Sequence, residues 1–191
     1  MPSISLTQWN ATRANELAQI TNALKSVAGI QRGRRFATQQ LNFSYTVLLS
    51  SQFQGFCRDL HSECVDHIVR AVTPAVLQTV LRHEFTIHRQ LDRKNPTPSS
   101  IGSDFNRLGF QFIPILRAAN GWNSGRLDHL EDMNRWRNAI AHYDFDQTKL
   151  GGTILRLARI QQWHRACNQL AAQFDATMRN HINQLIGNFP W

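Results

Sequence analysis

The chain has 191 residues, enough for one domain with a substantial core, and 42% of them are hydrophobic. Lys and Arg total 21 against 13 Asp and Glu, a formal net charge of +8, and only Lys25, Lys94 and Lys149 are lysines. Its three cysteines, Cys57, Cys64 and Cys167, form no disulfide-framework spacing, and no apolar run is long enough to span a bilayer. A disulfide-stapled miniprotein and a membrane-spanning helix are thereby excluded.

The cysteine usage favours a reducing compartment, and MPSISLTQWNATRANE lacks the basic start and apolar stretch of a signal peptide. A cytoplasmic location is the resulting expectation. Arginine binds phosphate as a planar fork whereas lysine acts as a point charge, so the arginine bias fits a polyanion partner such as nucleic acid. It fits an ordinary protein of arginine-rich composition equally well.

The apolar spacing is helical nearly throughout. Leu6, Trp9, Leu17, Ile20, Leu24 and Val27 mark a helix over 6–28. QRGRR, 31–35, is a basic turn, in which Arg32, Arg34 and Arg35 are candidate phosphate contacts for RNA or simply solvated charges. A long amphipathic run follows over 36–72, and Pro74 opens another to 93. KNPTPSS, 94–100, reads as a loop, and 101–119 as a shorter helix bent near Pro114. NGWNSG, 120–125, is a turn in which Asn123 or Ser124 can cap a helix to His142. KLGG, 149–152, breaks the chain before a last helix over 153–186.

No strand-like alternation is long enough for a sheet. The expectation is an all-α, up-and-down bundle of roughly six helices. It forms a single domain over 1–191, with its core at 36–186 and the 6–28 helix packed on it.

RNAIAHYDF, 137–145, closes the helix that ends at His142. On a helical wheel Arg137 falls among Leu130, Met133 and Ile140, where an apolar residue belongs. Arginine is almost never fully buried unpaired, so Glu63 is one expected partner and snorkelling to solvent is the alternative. Asn138 and His142 are four apart and share a stripe. Arg137 and His142 are five apart, about 140° around the helix, so they converge on one anion only through a long side chain or a dimer contact.

Other clusters read more plainly. In RHEFTIH, 82–88, His83 and His88 are five apart rather than the four of a zinc-binding His-Glu-x-x-His, which favours a solvated basic face. In HSECVDH, 61–67, His61, Cys64 and His67 align along a helix without a second half-site, so packing thiols beside solvated histidines is preferred to metal. The tryptophans mostly fit apolar stripes and read as core. Trp191 is expected to dock on the bundle or on a partner.

Arg137-Asn138-Ala139-Ile140-Ala141-His142 resembles the signature of the HEPN superfamily (higher eukaryotes and prokaryotes nucleotide-binding domain). That signature is Arg, often with Asn directly after it, four to six intervening residues and then His, near the end of a helix in an all-α bundle. LDHLEDMNRW before it, and LLSSQFQGFCRDL at 48–60, also resemble the family.

The resemblance implies a cofactor-free, metal-independent endoribonuclease with RNA as substrate. It implies a homodimer with both Arg/His pairs at one cleft, and a setting in defence, toxin–antitoxin pairing or stress. Arg137 would hold the scissile phosphate, His142 would act as general base or acid, and Asn138 would orient one of them. Gln54 stands where many members carry Glu, which leaves Glu63 or Asp59 as substitutes. Tyr143 follows the histidine, and Asp144 occupies the place of the tyrosine in the His-x-Tyr of antitoxin-regulated members. The alternative is a non-catalytic module for RNA or protein binding, for example paired with a nucleotidyltransferase.

Overall fold

The computed structural model describes residues 1–28 and 35–191, without the side chains of residues 24, 25, 27, 28, 35 and 36. The side chains of Leu24, Val27, Arg32, Arg34 and Arg35 therefore lie outside the described residues. Among those described, every regular element is a helix and no strand occurs.

Three long helices carry the core: α3 (Arg35–Arg70), α7 (Asn123–His142) and α9 (Leu157–Ile186). They pack on one another, so each buries a stripe of apolar side chains against the other two. α1 (Ile4–Gln8), a π-helical turn Trp9–Arg13 and α2 (Ala14–Ala28) lie along α3. α4 (Val76–Thr86) packs on α3, while α5 (Pro98–Asn106) and α6 (Phe112–Ala119) close one end. A short α8 (Gln147–Leu150) leads into α9. No helix of the described residues is long and apolar enough to cross a membrane.

An all-α bundle was the expectation, and the departures from it are local. The break after α5 falls at 107–111 rather than at Pro114, which sits in the first turn of α6, where its missing N–H costs no hydrogen bond. Asn123 does not cap α7: its side chain is buried, donating to the Leu116 carbonyl and accepting from Arg126. α4 ends at Thr86, so His88, at φ 58°, lies beyond it and shares no face with His83. Trp9, Trp136 and Trp163 are core, but Trp122 is 78% exposed. Trp191 docks on the bundle, its indole donating to Asp175 and its ring lying edge-on to His67.

Aromatic contacts knit the core. Trp9 reaches α3 with its ring centroid 5.6 Å from Phe53 and 5.7 Å from Phe56. Phe112 of α6 stacks on Phe105 of α5 at 4.6 Å and meets Phe174 of α9 edge-on at 4.9 Å. Gly55 leaves room for Arg13 to lie across α3, where it bonds Gln52 at 2.7 Å and pairs with Asp59 at 2.5 Å.

Two polar groups anchor α7 within the bundle. Buried Asn134 accepts from Ser50 of α3 at 3.1 Å and donates to the Pro96 carbonyl at 3.0 Å and to the Leu130 carbonyl at 2.9 Å. One amide thus ties α3, the 94–97 loop and α7. On the opposite side Asp132 accepts two bonds from Arg159 of α9, at 2.8 and 2.7 Å, and one from the Trp163 indole at 3.0 Å. Arg159 also donates to the Leu150 carbonyl at 2.9 Å and lies over the rings of Trp136 and Trp163.

His61 is fully buried, not solvated. Its Nε2 bonds the Asp104 carbonyl at 3.2 Å, its ring is edge-on to Phe105, and its Nδ1 has no partner. Burial, aided by the nearby Arg89 charge, pushes its pKa from 6.5 down to about 4.

Asn134→Ala leaves the Pro96 carbonyl buried without its donor, and is expected to destabilise the fold by about 2–3 kcal/mol in urea titration. His61 favours folding only while neutral, so its contribution is complete above pH 6.5 and is lost as pH falls towards about 4. His61→Phe is expected to flatten the dependence of the urea midpoint on pH in that window. Parallel profiles for the two proteins would contradict this.

Candidate functional site

The last two turns of α7 form a ridge between two open grooves. The arc of α7 that faces the core rotates along the helix. Leu127, Leu130 and Asn134 are buried in its middle, whereas Trp136 and Ala139 are buried near its end. Ala139 abuts one groove, and the ridge beyond it is left to solvent.

The first groove, of 510 Å³, lies between α7 and the turn carrying α8. Arg135, Asn138 and His142 line it from one helical stripe, facing Asp144, Asp146 and Lys149. Leu150 lies at its buried base, held by the Arg159 bond to its carbonyl. Asp146 is committed to local structure: it accepts from the Thr148 amide and hydroxyl at 2.9 and 2.7 Å and pairs with Lys149 at 3.3 Å. These hydrogen bonds hold its carboxyl down at about 2.

His142 is exposed at the C-terminal end of α7. Asn138 Oδ1 accepts from Asn95 Nδ2 at 2.5 Å and, weakly, from Arg137 Nη1 at 3.5 Å. Arg137 is half-buried beside this groove without lining it. Among the described residues no carboxylate pairs with it. Asn138 therefore joins Arg137 on one side to the groove of His142 on the other.

The expected pairing of Arg137 with Glu63 does not form. Glu63 instead caps the N-terminal segment, accepting from the Ile4 and Ser5 amides at 2.9 and 3.0 Å and from the Ser5 hydroxyl at 2.6 Å. Asp59 is held by Arg13. Gln54 donates to the Leu91 and Lys94 carbonyls at 2.6 and 3.0 Å. It thereby positions the backbone just before Asn95, whose side chain orients Asn138. Of the residues singled out as helpers, Asp144 alone shares the groove with His142, and no hydrogen bond joins the two.

Sequence reasoning did not single out Arg135, Asn95 or Lys149. The i, i+3, i+7 spacing of Arg135, Asn138 and His142 was the available signal for Arg135. Asn95 had none, because its place depends on the fold of the 94–97 loop.

The second groove, also of 510 Å³, lies between α3 and the chain after α7. Phe43, Val47 and Leu48 face Ile140, Tyr143 and Phe145 across it. Tyr143 follows the helix in the left-handed conformation, φ 54° and ψ 36°, where glycine is the usual residue. The Asp144 amide bonds the Ala139 carbonyl at 3.0 Å and closes the helix end around it.

His61, Cys64 and His67 do not form a ligand set: His61 and Cys64 are buried in the core and His67 is covered by Trp191. No group of three or more His, Cys, Asp or Glu among the described residues is placed to hold a metal ion. Compared with known protein families, with curated proteins and with solved structures, the chain matches none.

A left-handed backbone costs an L-residue about 1–2 kcal/mol, part of which glycine recovers. Tyr143→Gly is accordingly expected to raise stability by about 0.5–1 kcal/mol in thermal or urea unfolding. A loss of stability of that size would mean that the tyrosine ring is a structural prop.

Proposed function

We propose that the chain is a metal-independent endoribonuclease of HEPN type, with Arg137, Asn138 and His142 as its working residues. The observation that carries this reading is the exposed end of α7. It presents Asn138 and His142 to one open groove, with Arg137 on the adjoining flank, on an all-α scaffold of net charge +8.

The chemistry follows from the residue types. A neutral imidazole nitrogen is a proton acceptor, so His142 can take the proton of a ribose 2′-hydroxyl as that oxygen attacks the adjacent phosphorus. The bond from phosphorus to the 5′-oxygen breaks, and that oxygen takes up a proton to leave as a hydroxyl. The other product end is a 2′,3′-cyclic phosphate. Arg137 neutralises charge building on the phosphate oxygens. Asn138, held by Asn95, keeps the arginine aimed across the ridge.

One His142 cannot at once remove the first proton and supply the second. A second copy of the chain facing the ridge would bring the second histidine. The expected assembly is therefore a homodimer with a composite site, and DNA, lacking the 2′-hydroxyl, is not a substrate. A setting in defence, toxin–antitoxin pairing or stress in the cytoplasm belongs to the same reading.

The second reading is a non-catalytic module that binds RNA or a protein such as a nucleotidyltransferase. The observation in its favour is that Glu63, Asp59 and Gln54 are all engaged in structural bonds. Of the two acidic groups in the groove of His142, Asp146 is bound to Thr148 and Lys149, which leaves Asp144.

Purified protein in excess EDTA is expected to cut RNA. Arg137→Ala and His142→Ala are each expected to lower the single-turnover rate about 100-fold or more, with folding and assembly retained. Equal rates for all three proteins would reject the catalytic reading and favour the binding module.

A further inference from the structure

Tyr143 combines two costs, offset in part by the edge-on pairing of its ring with Phe145. Its backbone is left-handed and its side chain is 83% exposed. Strained residues of this kind concentrate where ligands are held.

The groove that Tyr143 borders is rimmed by aromatic rings. Phe43 and Phe145 stack at 5.2 Å with planes 15° apart, and the Tyr143 ring stands edge-on to Phe145 at 5.5 Å. Gln40, Ser44 and Ser51 of α3 add hydrogen-bonding groups to this otherwise apolar lining. A flat π-system with amino and carbonyl groups on its edge suits such a surface: the face stacks on aromatic rings and the edge meets the amide and hydroxyls.

The position is as informative as the lining. Ile140 and Tyr143 border this groove, Asn138 and His142 border the other, and Arg137 lies on the same two turns of α7. A polyanionic strand crossing the ridge with a phosphate at Arg137 delivers an adjoining base to the aromatic side.

We propose that the groove between α3 and the end of α7 is a nucleobase-binding subsite, with the exposed ring of Tyr143 as its stacking surface. It rests on the ribonuclease reading for the identity of the polymer, and its test does not require cleavage. The rival occupant is a second copy of this chain seated on the same apolar lining.

The experiment is fluorescence-anisotropy titration of the full chain with a labelled 2′-O-methyl RNA oligonucleotide, which cannot be cut by 2′-oxygen attack. Wild type, Tyr143→Ala, Tyr143→Trp and Tyr143→Gly are compared, each checked by light scattering for assembly. The same oligonucleotide is also made with an abasic site at each position in turn.

Tyr143→Ala and Tyr143→Gly are expected to weaken binding about 5- to 160-fold, the range for one stacked base, with assembly unchanged, while Tyr143→Trp retains it. One abasic position should weaken binding to wild type comparably and have no further effect on Tyr143→Ala.

Binding by Tyr143→Ala within about twofold of wild type overturns the proposal. So does a wild type that does not bind, or a uniform response to abasic sites. Dissociation of Tyr143→Ala into monomers assigns the groove to the second copy instead. If wild type shows the expected binding pattern but cuts no RNA in EDTA, the ribonuclease reading fails and the subsite stands.

Discussion

The side chain of Asn134 is the constraint on which the candidate site depends. It is buried, and its oxygen and both donated bonds are committed to three pieces of chain: Ser50 on α3, Pro96 in a loop and Leu130 on α7 itself. An unpaired amide in that position would cost more than the bonds contribute, so the arrangement is specified rather than merely favoured. Asn134 lies one turn before Asn138, and the loop it holds at Pro96 is the loop whose Asn95 orients Asn138. The same contact that locks the helices therefore sets the last turns of α7 against solvent.

A second restraint works from the other flank. Asp132 and Arg159 hold α7 to α9 and, through the Leu150 carbonyl, hold the base of the groove beside His142. The pair is largely withdrawn from water, at 20% and 34% side-chain exposure, and its charges are further satisfied by the Trp163 indole and two aromatic faces. Breaking such a pair leaves an uncompensated charge, which makes the geometry of this groove resistant to drift. The two restraints hold α7 from both flanks, yet Asn138, His142 and Tyr143 beyond them remain exposed. Rigid support under exposed polar groups is what a site needs and what a core does not.

The long helices were legible in the sequence because their apolar spacing spans many turns, and α3, α7 and α9 end within a few residues of where periodicity places them. Shorter features were not. The π-helical turn at Trp9–Arg13 keeps an apolar spacing that reads as ordinary helix. The break before α6 is made by chain direction at 107–111, where no proline marks it, whereas Pro114 is harmless in a first turn. His61 read as solvated from its polar neighbours in HSECVDH, but α3 is covered on several sides and its polar positions are not all outside. Within the site, the stripe shared by Asn138 and His142 was visible from spacing alone. The partners of Glu63, Asp59 and Gln54 were not, since each is set by a segment distant in sequence.

The central claim is that the exposed end of α7 promotes attack by a ribose 2′-oxygen on the neighbouring phosphate. It is tested most directly with an RNA in which only the nucleotide 5′ to a mapped cut is replaced by its 2′-deoxy counterpart. The account predicts that cleavage at that position stops while other positions are still cut, and that the unmodified strand ends there in a 2′,3′-cyclic phosphate by mass spectrometry. Continued cleavage at the deoxy position, or a 3′-hydroxyl end, would contradict it.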